Sequence, residues 1–219
     1  MTQEEQQPPR IKIRIESLSD LVFGLALSIG SIVLVSSNVS DIGQLEGNVA
    51  DFGFSFVIIV FTWLGYTRTM AALPGETPTS LYLNILLLFL VAVEPYLFFV
   101  LVSAKGIPLA ESFSVPYALN VAAIFLVQGA LARLVIHEDR RKKLDDKNRL
   151  HPEVLARFRR IAFSDVIIGI LYLLSTLPIF WIQVGPTYLR FIIWFSSFSI
   201  FFVVRGLARK PKTLVQTQV

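Results

Sequence analysis

The sequence predicts an all-α membrane protein with six transmembrane helices in one subunit, on three observations. Hydrophobic residues fill 54% of the 219 positions and charged residues only 16%, where a soluble domain spends about a quarter of its positions on charge; the mean hydropathy is +0.63. Six windows are apolar over the length needed to cross a membrane, which is roughly 20 residues for a hydrocarbon core of about 30 Å. Basic residues collect on one side of the bundle those windows define. This composition disfavours intrinsic disorder, nucleic-acid-binding modules and ordinary cytosolic enzymes. With no cysteine, disulfides, thiolate catalysis and Cys-ligated metals go as well.

In chain order the spans run from Leu18 to Ser36, Val49 to Thr67, Leu81 to Ser103, Phe113 to Val135, Ile161 to Ile182 and Tyr188 to Val204. Turn-forming residues stand between them: Ser37, Asn38, Asp41 and Gly43 after span one, Pro74, Gly75 and Pro78 after span two, Gly106 and Pro108 after span three. Span one is expected to stay in the mature protein, since five more spans follow it and no small-residue cleavage site closes it. The organisation is therefore a cytoplasmic segment 1–17, a transmembrane domain 18–207 with a cytoplasmic link at about 137–160, and a cytoplasmic tail 208–219.

Alternating the spans across the membrane puts 18 of the 20 Lys and Arg residues on one side and leaves Lys105 and Arg190 on the other. The positive-inside rule then places both termini in the cytoplasm. The link from His137 to Arg160 mixes Arg140, Arg141, Lys142 and Lys143 with Glu138, Asp139, Asp145 and Asp146. It reads as a solvated helical connection that sets topology and touches anionic lipid, ahead of a dedicated ligand site. His137 and His151, the two histidines, both lie in this stretch, so no His-based metal site or Ser-His-Asp triad can be built within the membrane.

Ionisable side chains inside a span are costly and each asks for a reason. Among them are the carboxyls Asp20, Glu94 and Asp165. Asp20 and Asp165 share a context, Arg14-Ile-Glu-Ser-Leu18-Ser19-Asp20 and Arg159-Arg160-Ile-Ala-Phe163-Ser164-Asp165, so that Arg-x-x-x-apolar-Ser-Asp occurs twice. Ser and Asp can cap the first turn of a helix and complement its dipole. A local cap does not call for an Arg at a fixed upstream distance, which points instead to an inter-helix network; the two readings stand side by side. Gly24 and Gly169, four residues past each Asp, extend the likeness without proving a duplication. Glu94 precedes Pro95 deep in span three. It is a candidate proton-relay or ion-contact site, or a carboxyl paired to a neighbouring helix.

Leu25, Ser28, Ile29 and Ile32 recur at spacings of three and four in span one and so form one stripe. Gly24, Ser28 and Ser31 lie on an overlapping side suited to close helix packing. The stripe is either a packing seam or the lining of a pore in an oligomer, where aliphatic side chains make a hydrophobic constriction and hydroxyls assist ion dehydration.

These residues resemble a known family. Arg14, Leu18, Ser19 and Asp20 opening span one, Phe61 and Trp63 in span two, and Leu83-Asn84-Ile85-Leu86-Leu87-Leu88-Phe89 with Pro95 in span three are similar to the prokaryotic branch of the transmembrane protein 175 potassium channels. The resemblance covers spans one to three; spans four to six agree in number and length. It implies a homotetramer whose first helix lines a central pore without a Thr-Val-Gly-Tyr-Gly filter, which this sequence also lacks. It further implies constriction at Leu25, Ile29 and Ile32, potassium preference aided by Ser28, and a network tying span one to spans two and three through Arg14, Ser19, Asp20, Trp63 and Asn84. Leu18 replaces the motif Phe, and Tyr66 and Thr67 stand where many relatives carry His, so the network is wired differently here.

The expected function is a potassium-permeable, leak-type channel in a prokaryotic plasma membrane. Potassium is the permeant ion, copies of the chain and the lipid bilayer are the partners, and no enzyme chemistry, cofactor, metal or nucleic acid is implied. The rival is a proton-coupled transporter using Glu94, Asp20 or Asp165. Arg159, Ser164 and Asp165 form a secondary candidate site on span five.

Overall fold

In the computed structural model residues 10–36, 41–73, 77–103, 110–141, 150–184 and 187–207 are described. The tail 208–219, the first nine residues, and the expected turn residues Ser37, Asn38, Pro74, Gly75, Gly106 and Pro108 lie outside them, as do Lys142, Lys143, Asp145 and Asp146 of the link. Six α-helices occupy the described residues: α1 (Arg10–Ser36), α2 (Ile42–Ala72), α3 (Pro78–Ser103), α4 (Ala110–Arg141), α5 (Pro152–Ser175) and α6 (Leu189–Leu207). Each of the first four runs past its expected span by several residues at one or both ends.

The helix starts follow local chemistry. Asp41 caps α2, its Oδ1 accepting from the Gln44 N–H at 2.8 Å. Thr77 and Ser80 cap α3 reciprocally, Ser80 N–H donating to Thr77 Oγ1 at 3.2 Å and Thr77 N–H to Ser80 Oγ at 2.9 Å, with Pro78 as the first helical residue. His151 caps α5 ahead of Pro152.

Among the described residues four helices are long and apolar enough to cross a membrane: Arg14–Ile32, Ile42–Ala72, Pro78–Ser103 and Ser112–Arg141. Span five departs from the expected Ile161–Ile182. Its helix begins earlier, at Pro152, and so carries Glu153, Arg157, Arg159 and Arg160 on its first turns. It also stops earlier, at Ser175, where Thr176 and Pro178 turn the chain into a short 3-10 helix (Pro178–Trp181) and a two-stranded hairpin, β1 (Gln183–Val184) and β2 (Thr187–Tyr188). Pro cannot continue the hydrogen-bond ladder, and the residue before it avoids helical geometry.

The packing order differs from the chain order. α4 lies at the centre, against α5, α3 and α2; α1 packs on α3 and α2, and α6 on α5. One apolar core joins Phe23 and Ala26 of α1 to Ile59 and Tyr66 of α2, Leu87 and Val91 of α3, Leu131 of α4 and Ile161 of α5. A second, aromatic core surrounds Trp194 of α6, whose ring lies 5.5 Å from Tyr172 and 5.4 Å from Tyr117 and whose Nε1–H donates to Ser175 Oγ at 2.8 Å. Burial on this scale fixes α1 by one face only, which is what positions the candidate site.

Candidate functional site

α1 has two unlike faces. Ser19, Phe23 and Ala26, at helical spacing, are buried against α2 and α3. The stripe of Leu25, Ser28, Ile29 and Ile32 turns away from the rest of the chain, with Leu25 57% and Ile32 64% exposed and Ile29 36%. The hydroxyl of Ser28 donates to the carbonyl of Gly24 at 2.8 Å and that of Ser31 to Leu27 at 3.1 Å. A side chain added at Gly24 would meet nothing within 4 Å. Within one chain the stripe is therefore not a packing seam. What covers it is lipid, another copy, or a lumen. Each serine oxygen, its proton directed to the backbone, keeps acceptor capacity on its outer side.

Behind this stripe the motif residues reach α2. Ser19 Oγ and Tyr66 OH are 2.6 Å apart, and Ser19 also donates to the Ile15 carbonyl at 2.8 Å. Trp63 Nε1–H donates to Asp20 Oδ1 at 2.9 Å. Phe23 packs on the Tyr66 ring at a centroid distance of 5.7 Å. Asn84 is buried on α3 near the Tyr66 hydroxyl. Arg14 is exposed and makes no ion pair with Asp20. The structure thus brings Ser19, Asp20, Trp63 and Asn84 into one neighbourhood and leaves Arg14 at its edge. Tyr66 is the residue that sequence reasoning undervalued: noted only as a departure, it is the centre of the cluster. Its signal was the presence of a polar aromatic where the first helix must dock.

The second motif copy has a different setting. Ser164 and Asp165 are both buried, Ser164 Oγ donating to the Ile161 carbonyl at 3.1 Å, while Arg159 and Arg160 stay exposed on the outer side of α5. A Cβ at Gly129 of α4 would sit 3.3 Å from the Ala162 carbonyl and 3.6 Å from the Asp165 Cβ. One at Gly169 would sit 2.8 Å from Leu126 Cγ and 3.1 Å from the Ala122 carbonyl. α4 and α5 approach closely because glycine occupies both positions.

Glu94 is fully buried between helices. Ser55 Oγ of α2 lies 2.9 Å from each of its carboxyl oxygens, and Tyr117 OH of α4 donates to Oε1 at 3.2 Å. Beside it, Asn120 Nδ2 donates to the Leu90 carbonyl at 3.1 Å, next to the step in the ladder that Pro95 leaves without a donor. Neither Ser55 nor Tyr117 was singled out from sequence, because their spacing carries no motif. No group of three or more His, Cys, Asp or Glu suited to a metal ion occurs among the described residues.

Two comparisons bear on the chain. Residues 14–95 match the family model described as the endosomal/lysosomal potassium channel TMEM175. Among solved structures the fold is similar to the crystal structure of a lysosomal potassium-selective channel TMEM175 homolog from Chamaesiphon minutus, with a TM-score of 0.61 and 22% identity over 91% of this chain and 97% of that one. Among the curated proteins nothing matches. The matched segment is α1, α2 and most of α3, where the resemblance was read, and the resemblance is borne out; the structural likeness extends the fold to α4, α5 and α6.

Proposed function

We propose that the chain is the subunit of a potassium-permeable channel, in which four copies surround an axis lined by α1. The observation that carries this reading is the exposed stripe of α1, aliphatic at Leu25, Ile29 and Ile32 and hydroxylic at Ser28. Facing a lumen, the Ser28 oxygen, its proton held by the Gly24 carbonyl, offers acceptor capacity among the aliphatic side chains. In the mechanism, four-fold rings of Leu25, Ile29 and Ile32 narrow the lumen and resist full hydration, so an ion crosses partly dehydrated. The Ser28 oxygens, between the Leu25 and Ile29 rings, offer transient ligands that favour the less strongly hydrated potassium over sodium. Ser19, Asp20, Tyr66, Trp63 and Asn84 hold the back of α1 to α2 and α3 and so set the width of those rings.

All six helices cross the bilayer in this reading, α5 and α6 turning exposed apolar side chains such as Phe163, Ile170 and Phe195 outward, with both termini in the cytoplasm of a prokaryotic cell and the tetramer in its plasma membrane. Conduction is of the leak type, poorly gated. The basic residues that end α4 support the orientation. The test is flux from liposomes at a fixed voltage, potassium against sodium, with a Leu25→Ala/Ile29→Ala protein beside the native one. Potassium-selective flux that rises or loses selectivity in the double variant supports the channel.

A second reading, a proton-coupled transporter, draws on Glu94, a buried carboxyl among hydroxyls of the kind that relays protons. Flux that requires a proton gradient and vanishes with Glu94→Gln, in a protein that cross-links no further than the monomer, decides for it.

A further inference from the structure

Arg14 belongs to the exposed stripe of α1 by register. It precedes Leu25 by about three whole turns and Ile32 by about five, so the three side chains stand in line along the helix. Leu18 and Leu21 lie beside that line, and all five residues are exposed. Between Arg14 and Ile32 no other charged residue falls on it. The carboxyls of the same turns face the bundle: Asp20 takes the indole N–H of Trp63, and Glu16, half-buried, lies toward Tyr66. The positions three and four away from Arg14 hold Arg10, Ile11, Ser17 and Leu18, so no carboxyl meets it at helical pairing distance.

A basic residue at the cytoplasmic end of a span already has one reason, the positive-inside rule. That rule counts charge in a segment and is indifferent to helix face; it does not ask for register with Leu25 and Ile32. A guanidinium stays charged at any working pH. With four copies around an axis lined by α1, the Arg14 side chains form a ring about 16 Å to the cytoplasmic side of the Leu25 ring. The screening length is about 30 Å in 0.01 M salt and about 3 Å in 1 M salt. In dilute salt the field of the ring therefore reaches the constriction and thins out cations at the mouth; in concentrated salt it does neither.

We propose that Arg14 forms a cationic ring at the cytoplasmic mouth that slows entry of potassium from the cytoplasm, an electrostatic restriction in series with the aliphatic one. The inference rests on the reading of α1 as the pore helix. The test is planar-bilayer recording of the purified full chain in symmetrical potassium chloride at about 0.01 M and about 1 M. Native conductance should fall more than in proportion to salt. Arg14→Gln should conduct at least about threefold more than the native protein in dilute salt and equally in concentrated salt, while Arg14→Lys, which keeps the charge, should match the native protein in both. Arg157→Gln, at an exposed arginine of α5 away from the stripe, should change nothing. Thermal unfolding in detergent verifies that each variant is folded, and the native salt dependence is a test that needs no variant. Native conductance proportional to salt, an Arg14→Gln effect that persists in concentrated salt, an equal rise in Arg157→Gln, or no effect of Arg14→Gln while Leu25→Ala/Ile29→Ala alters conductance would each overturn the proposal and leave the channel reading standing. Absence of current in the native protein would overturn both.

Discussion

Leu18-Ser19-Asp20 on α1 and Phe163-Ser164-Asp165 on α5 begin alike: in both the apolar residue is exposed, at 54% and 64%, and the serine fully buried. They part at the aspartate. Asp20 is exposed and takes the indole N–H of Trp63 across to α2, whereas Asp165 is 1% exposed, within the close α4–α5 contact. They part again at the glycine four residues on, open at Gly24 and closed by Leu126 and the Ala122 carbonyl at Gly169. The same local pattern therefore seats a helix by its serine, and the partner decides the rest. α2 meets α1 with large aromatic side chains, Trp63 and Tyr66, and holds it at a distance that leaves the Gly24 side free. α4 meets α5 with Gly129 and Ala122 and draws it in. A helix held by one face can line something; one held closely along its length belongs to the scaffold. This contrast is the reason for placing the pore on α1.

The largest expected effect tests the glycine pair. Gly169→Ala puts a methyl 2.8 Å from Leu126 Cγ and 3.1 Å from a backbone carbonyl that cannot yield cheaply, and should lower unfolding stability in detergent by about 1–3 kcal/mol. Gly24→Ala meets nothing and should hold or raise it, by up to about 1 kcal/mol from helix propensity. Equal losses in the two would break the contrast. Next comes the aspartate pair. Asp165→Ala empties a buried polar position and should cost about 1–3 kcal/mol, while Asp20→Ala, at the surface, should stay within about 0.5 kcal/mol; chemical denaturation of both proteins reads the difference directly.

Much of this was legible beforehand because it rests on composition and period. The apolar lengths gave the first four helices, and the spacing of Leu25, Ser28, Ile29 and Ile32 put them on one face before any partner was known. Span five was misjudged at both ends. Its apolar run continues through Leu177 and Ile182, but Pro178 ends helical geometry there, and hydropathy does not register a break made of apolar residues. The two readings of the motif, cap or network, could not be separated either, since they differ only in what Ser19 and Asp20 find on α2. Tyr66 and Ser55 were illegible for the same reason: a hydrogen bond between residues 47 or 39 positions apart leaves no spacing to read.

The smaller effects sharpen the account of α1. Ser19 and Tyr66 hydrogen-bond in a buried site, and a double-mutant cycle with Ser19→Ala and Tyr66→Phe should return a coupling of about 0.6 kcal/mol, the average for interhelical bonds in membranes. Trp63→Phe is expected to change stability least, because its bond to Asp20 is exposed and an aromatic ring, though a smaller one, is kept. Its value lies in the separation of readouts. If Trp63 and Asp20 only decorate a surface, stability and flux should both be unchanged in Trp63→Phe. If they set how far α1 leans from α2, and α1 lines the pore, flux should change severalfold at constant stability, and Asp20→Ala should reproduce the change without adding to it, since both remove one bond. The corresponding substitution on α5, Asp165→Asn, has the opposite signature, a loss of stability with flux unaltered per folded protein. A flux change in Asp165→Asn alone, with none in Trp63→Phe, would move the pore from α1 to α5.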